Sequence, residues 1–257
     1  MYCINWAGLR SILRLILRRS SGVSSAIVLS DIHGNLQRFE SIMAQINLQP
    51  DDTLYILGDV IDRYPDGIKI LRRIMKMPNA RMLIGNHEYM MLKAIGHCKD
   101  AAEEKENTNW RQRRHWYRNG GMVTHEQLKH YRKDTRADIF DFIWKLPTNI
   151  DVEVNGIKYK LVHASPEENY MTAYWYSEDY KDSREFAVWD RWDETKPVPE
   201  GYVLIFGHTP TCYFHNAYPW SIWKSDEAIG IDCGGGFEDG RLSCLRLDDM
   251  KEFYSKD

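Results

Sequence analysis

Two hydrophobic rhythms take turns along this chain. The run Ala26-Ile-Val-Leu29 is apolar without interruption and gives way to Ser30-Asp-Ile-His-Gly-Asn35. A β-branched run that stops in turn-forming residues predicts a buried strand with an abrupt polar end. Leu36, Phe39, Ile42, Met43 and Ile46 then recur at helical spacing, which predicts an amphipathic helix over residues 36–46. The pair of patterns repeats as a strand at 53–57 and a helix at 67–75, then as a strand at 81–84 and a helix at 88–95. Such alternation predicts a layered α/β fold. After a polar stretch at 99–108, residues 110–130 and 138–144 read as helical, and Leu146-Pro-Thr-Asn-Ile150 breaks the pattern. Strands then dominate. They are expected at 151–154 and 159–163 around an Asn155-Gly156 turn, and again at 202–206, 228–232 and 241–247. A strand-rich second half favours a two-sheet β-sandwich flanked by helices over one open parallel sheet.

Residues 1–24 differ from the rest. They carry Arg10, Arg14, Arg18 and Arg19, no acidic residue, and an apolar helical face of Leu9, Ile12, Leu13, Leu15, Ile16 and Leu17. The apolar stretch is too short and interrupted to span a membrane, and no small-residue cleavage site follows it. Two readings stand. One is a basic amphipathic helix in peripheral contact with an anionic membrane or a partner. The other is a helix packed on the domain, or an appended extension. Either way the expected division is an extension at 1–24 and one catalytic domain at 25–257.

Composition narrows the function. The formal net charge of -3 supplies no global basic field, so nucleic-acid binding is not expected. Cys3, Cys98, Cys212, Cys233 and Cys244 are odd in number and widely spaced. That disfavours a disulfide framework or a zinc–cysteine site and fits a cytoplasmic protein.

The candidate chemistry lies where the strands stop. Asp31 and His33 follow the first strand, Gly58-Asp-Val-Ile-Asp-Arg63 the second and Gly85-Asn-His-Glu88 the third; His163 and His208 end two later strands. Each fragment alone is ordinary turn and cap chemistry. Five in order, each terminating an apolar run, predict a ligand site at the carboxyl ends of strands. Asp31, His33, Asp59, Asn86, His163 and His208 form a mixed oxygen and nitrogen donor set without thiolate, suited to manganese, iron or zinc. Six ligands exceed one tetrahedral site. A carboxylate shared by two divalent transition metal ions, with water lowered in pKa between them, fits a two-metal hydrolase.

The series SDIHGN, GDVIDR, GNHE, HA and GHTP resembles the phosphoprotein phosphatase branch of the calcineurin-like metallophosphoesterases, especially the short bacterial and phage serine/threonine phosphatases. The likeness runs from about residue 27 to 247. It implies a calcineurin-like sandwich and a dinuclear centre, with manganese the expected ion and a bridging hydroxide as nucleophile. Asp31 and His33 would hold the first metal, Asp59 both, and Asn86, His163 and His208 the second. His87 would be the general acid, oriented and kept protonated by Asp62. Arg63, Arg191 and Asn86 would contact the phosphate. The fork of an arginine suits phosphoryl oxygens, and an acid is needed because phosphate monoesters leave poorly.

Two departures stand out. Ser30 occupies the place of the family's glycine, with effects expected on local backbone only. Tyr64 replaces the glycine of Asp-Arg-Gly, which puts the pose of Arg63 in question if that position needs a positive φ. The aromatic segment 164–190 is expected to cover the site or to pack as a loop, and the basic, aromatic segment 109–121 to border the cleft. Phosphoproteins or phosphopeptides are the leading substrates, with serine/threonine or dual specificity. A symmetrical dinucleoside polyphosphate hydrolase or other nucleotide phosphoesterase is the alternative. A catalytically silent scaffold would have lost ligands that are all present here.

Overall fold

The computed structural model describes residues 24–96, 109–172, 180–214 and 219–256. The amino-terminal helical pattern, the polar stretch 99–108 and Tyr174, Trp175 and Tyr176 lie outside the described residues. In chain order come β1 (Ala26–Leu29), α1 (Leu36–Ile46), β2 (Thr53–Ile56), α2 (Gly67–Ile74), β3 (Ala80–Met82) and α3 (Asn86–Ile95). Next are α4 (Trp110–Arg118), α5 (Met122–Lys129), α6 (Lys133–Trp144), β4 (Asn149–Val154), β5 (Ile157–Val162), α7 (Asn169–Thr172) and α8 (Ser183–Trp189). The chain continues through β6 (Val203–Phe206), β7 (Trp223–Lys224), β8 (Ala228–Gly230), β9 (Ser243–Arg246) and β10 (Lys251–Tyr254).

The strands form two five-stranded mixed sheets, β10-β9-β1-β2-β3 and β4-β5-β6-β8-β7. In each, three strands run parallel: β1, β2 and β3 in the first, β5, β6 and β8 in the second. Antiparallel strands complete the edges.

Side-chain alternation sets the layers. Ile27 and Leu29 point to the helices and share a core with Phe39, Ile42, Ile68 and Leu71. Val28 points the other way, into a core between the sheets with Leu161, Ile205 and Ile229. The far face of the second sheet, with Val162, Leu204 and Phe206, is covered by Trp192 and Trp223. Covering both faces of a strand removes the need for polar positions, which explains the unbroken runs AIVL and VLIF. The two-sheet sandwich expected from the sequence is therefore the fold.

Some elements differ from expectation. The helical stretch 110–130 is two helices, because Asn119-Gly120-Gly121 turns the chain and seats Gly121 against the Trp116 indole. Helix α6 begins at Lys133, five residues earlier than its apolar spacing shows. Helix α8 lies inside the aromatic segment, with the Asp182 carboxylate accepting the Glu185 N–H at 2.8 Å as its cap. Strand β10 was not expected; of its four residues only Phe253 is buried.

Phe39 is fully buried where α1 meets the first sheet. Phe39→Ala is expected to cost about 3–5 kcal/mol in urea-monitored unfolding; a loss below about 1 kcal/mol would contradict this packing.

Candidate active site

The parallel strands of each sheet end on one edge, and polar side chains leave from those ends. Asp31 and His33 follow β1, Asp59 follows β2, and Asn86 and His87 open α3 beyond β3. From the second sheet, His163 follows β5, His208 follows β6 and Asp232 follows β8. A cavity of about 110 Å³ lies there, lined by Asp31, Asp59, Asn86, His87, His208 and Asp232, with Arg63 and Arg191 also in its wall. His33 and His163 are buried against the same carboxylates, 3.7 Å and 3.6 Å from Asp59. The structure thus brings together all the residues expected from the sequence and adds Asp232. The signal for Asp232 was available, since its strand also ends in a carboxylate.

The backbone is held in unusual conformations to achieve this. Asp31, His33, Asp59, Asp62, Arg63 and His208 all have φ between 50° and 72°, a region costly for residues with a Cβ. Glu88 supplies the restraint. Its buried carboxylate accepts the backbone N–H groups of Asp59 (2.9 Å), Val60 (2.9 Å), Ile61 (3.3 Å) and Gly85 (3.0 Å). The turns after β2 and β3 are thereby tied together. A Cβ at Gly58 would lie 2.6 Å from the Gly85 backbone, so this approach requires glycine. Sequence reasoning gave Glu88 no role, although an acid at the third helical position is an N-terminal capping signature. Asn35, by contrast, is a cap as its type suggests: its side chain accepts the Arg38 N–H at 3.1 Å.

His87 Nδ1 lies 2.7 Å from Asp62 Oδ2. The same oxygen accepts the Trp116 indole N–H at 2.7 Å, and the Asp62 N–H donates to Thr124 Oγ1 at 3.0 Å. Trp116 and Thr124 were not anticipated. Trp116 belongs to the segment expected to form a basic rim, yet it is fully buried behind the site, and of that segment Asn119 lines the cavity. Several of its arginines border a separate groove with Trp110 and Met122. Burial, then the Arg63 charge, pushes His87 down to about 4 against the pull of Asp59. Burial raises Asp62 to about 7 despite its hydrogen bonds to Thr124 and Trp116. An imidazolium expected from Asp62 alone is thus opposed by burial in the substrate-free site.

Two trios have donor atoms close enough to share a cation: His33, Asp59 and His87, and Asp59, His163 and His208. Asp59 belongs to both, as a bridging carboxylate must. Asn86 Oδ1 joins the second, 2.9 Å from His163 Nε2 and 3.1 Å from His208 Nδ1. His163 Nδ1 meets the Leu57 carbonyl at 2.7 Å and His33 Nδ1 the Ile61 carbonyl at 3.3 Å, leaving each Nε2 aimed at the carboxylates. Burial lowers the pKa of His33, His163 and His208, favouring the neutral imidazole that ligates metals. It raises Asp31 to about 6, and it raises Asp59 and Asp232 as well. His208 Nε2 is buried without a hydrogen-bond partner. Crowded carboxylates, neutral imidazoles and an orphaned ring nitrogen fit divalent cations well.

The two sequence departures have structural answers. The Ser30 hydroxyl donates to Asp31 Oδ2, a contact beyond the backbone effect expected. Positive φ falls on Asp62 and Arg63, while Tyr64 is not among the positive-φ residues, so tyrosine carries no strain there. Nor does Tyr64 line the cavity.

Comparison with known proteins agrees with this geometry. The calcineurin-like phosphoesterase family matches residues 25–224. The chain belongs to this family. The chain is 32% identical over 145 residues to serine/threonine-protein phosphatase 2 of Salmonella typhimurium, covering 56% of this chain and 60% of that protein. Over 70 residues it is 36% identical to the symmetrical bis(5'-nucleosyl)-tetraphosphatase of Pectobacterium carotovorum, covering 26% of this chain and 25% of that protein. Both matches span less than two thirds of the relative's length. The crystal structure of a metallophosphoesterase from Sphaerobacter thermophilus shares the fold at a TM-score of 0.53 and 15% identity, covering 91% of this chain and 88% of that one. The family implies divalent metal ions. Among the described residues no helix is long and apolar enough to cross a membrane.

Replacing Glu88 by glutamine leaves an amide N–H₂ facing backbone N–H donors. Glu88→Gln is expected to destabilise the protein by about 1–3 kcal/mol and to reduce its metal content. Unchanged thermal stability and full metal occupancy would show that this carboxylate does not brace the site.

Proposed function

We propose that the phosphoesterase is a metal-dependent phosphomonoesterase acting on phosphoserine and phosphothreonine in proteins, with phosphotyrosine as a further substrate. The observation that carries this reading is the arrangement of His87, with Asp62 on one ring nitrogen and the cavity, Asp59 and Arg63 on the other side. The longer of the two curated matches, to a serine/threonine phosphatase, supports the protein substrate.

In this reading Asp31 and His33 hold one ion, Asp59 both, and Asn86, His163 and His208 the other, with manganese the ion expected. When bound, the ions supply Lewis acidity toward the phosphoryl oxygens and lower the pKa of water. Arg63 and Arg191, with Asn86, bind the phosphoryl oxygens as negative charge spreads over them. Negative charge on the substrate beside His87 favours its imidazolium form. Asp62 stabilises that cation at Nδ1, so that the Nε2 proton passes to the departing alkoxide.

A second reading, hydrolysis of symmetrical dinucleoside polyphosphates, is favoured by the 70-residue match. Aromatic side chains at the cavity (Trp189, Tyr213 and Phe237) offer surfaces on which a base stacks. A silent scaffold is disfavoured because every expected ligand is present. The remaining parts of the proposal are a cytoplasmic setting, in keeping with the free Cys212, Cys233 and Cys244, and an amino-terminal extension at residues 1–24, for which packing on the domain and peripheral contact with an anionic membrane or a partner are the alternatives.

The test is a side-by-side assay of manganese-loaded protein on phosphoserine peptides, a dinucleoside tetraphosphate and a phosphodiester. Peptides are expected to be the best substrates by kcat/KM, about two ions are expected per active chain, and Asp59→Asn should abolish both activity and loading. Preference for the tetraphosphate would establish the second reading, and activity in the metal-free protein would reject both.

His87→Asn is expected to keep both ions and lose about 10²–10⁴-fold in turnover on phosphoserine. On p-nitrophenyl phosphate, whose phenolate leaves without help, the loss should be much smaller. Equal losses would show that His87 does not act as an acid, and loss of an ion would make it a ligand.

A further inference from the structure

Arg63 is gripped by a part of the chain that carries none of the family motifs. Its backbone N–H donates to the Gly120 carbonyl at 3.2 Å, and Nη2 lies 3.4 Å from His87 Nε2. The ring of Phe237 covers the guanidinium, with the central carbon 4.7 Å from the ring centroid. Phe237 also lines the catalytic cavity and is 42% exposed.

The loop that presents Phe237 is fixed from below. Buried Arg38, on α1, donates to the carbonyls of Gly234 (3.5 Å), Gly235 (3.2 Å), Phe237 (2.7 Å) and Glu238 (3.1 Å). Trp220 stacks on Phe237 at 5.9 Å with an interplanar angle of 26°. A Cβ at Gly236 would lie 2.7 Å from Arg63 Nη1, so glycine is what lets the loop approach so closely. A free arginine side chain samples many rotamers and loses that freedom on binding an anion. One laid on a fixed aromatic face is ordered in advance, and the ring's quadrupole attracts its charge.

We propose that Phe237 is a positioning residue: anchored through Arg38, it holds the Arg63 guanidinium ready for the oxygens of a phosphoryl group. This rests on the phosphate-binding role given to Arg63 above.

The test uses the full chain, with inorganic phosphate as probe. Phe237→Ala is expected to raise the phosphate inhibition constant about fivefold, the scale of a partly exposed cation–π contact, with metal content unchanged. Phe237→Tyr should restore binding and Phe237→Leu should not. In an Arg63→Ala background, Phe237→Ala should add less than about twofold, because the two residues act as one unit. In the metal-free protein, the NMR signal of the Arg63 Nε–H should lose its ring-current shift in Phe237→Ala. Full additivity, rescue by leucine or an unmoved Arg63 signal would overturn the positioning role and leave Arg63 as a phosphate ligand. An Arg63→Ala protein that binds phosphate normally would overturn the role of Arg63, and this proposal with it.

Discussion

One buried carboxylate sets the geometry on which the site depends. Glu88 gathers four backbone N–H groups from the turns after β2 and β3. Burial, with the nearby Asp59 adding to it, pushes its pKa up to about 8, although the donors from Asp59 and Val60 pull the other way. Charge-assisted bonds of this kind are what make a buried anion tolerable. They also hold Asp59 in its left-handed conformation, with Asp59 Oδ1 in turn accepting the His87 N–H at 3.0 Å. Asp59, His87 and both turns are thus parts of one hydrogen-bonded unit.

The site works against the stability of the fold. Asp31, Asp59, Asp62 and Asp232 are almost fully buried together with His33, His87, His163 and His208. Carboxylates crowded in low dielectric repel one another, and burial opposes both their ionisation and that of the imidazoles. Left-handed φ values at six of these positions and their neighbours add strain. Two extensive apolar layers, one under the helices and one between the sheets, offset this. Unfavourable electrostatics in a well-packed frame are what a cation-binding, anion-converting site requires.

The arginines show a different division of labour. Arg191 is exposed and touches the His208 carbonyl at 3.4 Å, while Arg63 is half-buried against Phe237 and His87. In the proposed phosphate clamp, one arm is therefore packed in place and the other is freer. Trp189, Tyr213 and Phe237 supply the aromatic part of the cavity wall. The family motifs themselves contain none of these three, which is consistent with one catalytic core serving both protein and nucleotide phosphatases among its relatives.

Much of this was legible in the chain. The strands before Asp31, Asp59, Asn86, His163 and His208 declare themselves by apolar runs, because a strand covered on both faces has no polar positions. The ligand types at their ends declare the chemistry, because mixed oxygen and nitrogen donors without thiolate suit few ions. Residue type marked Glu88 as a helix cap and Asp232 as a strand-end carboxylate, but the partners they meet depend on contacts between residues far apart in sequence. Glu88 bracing Asp59, Trp116 donating to Asp62, Arg38 pinning the loop of Phe237 and Asp232 approaching Asp31 each span 25 residues or more. Local pattern carries no information about such pairings; the packing of helices on the first sheet and the meeting of two sheets at one edge decide them. The sequence alone thus determined the strands and the candidate donor residues at their ends, and the tertiary structure decided which others hold those residues in place, since positioning is a property of packing rather than of residue type.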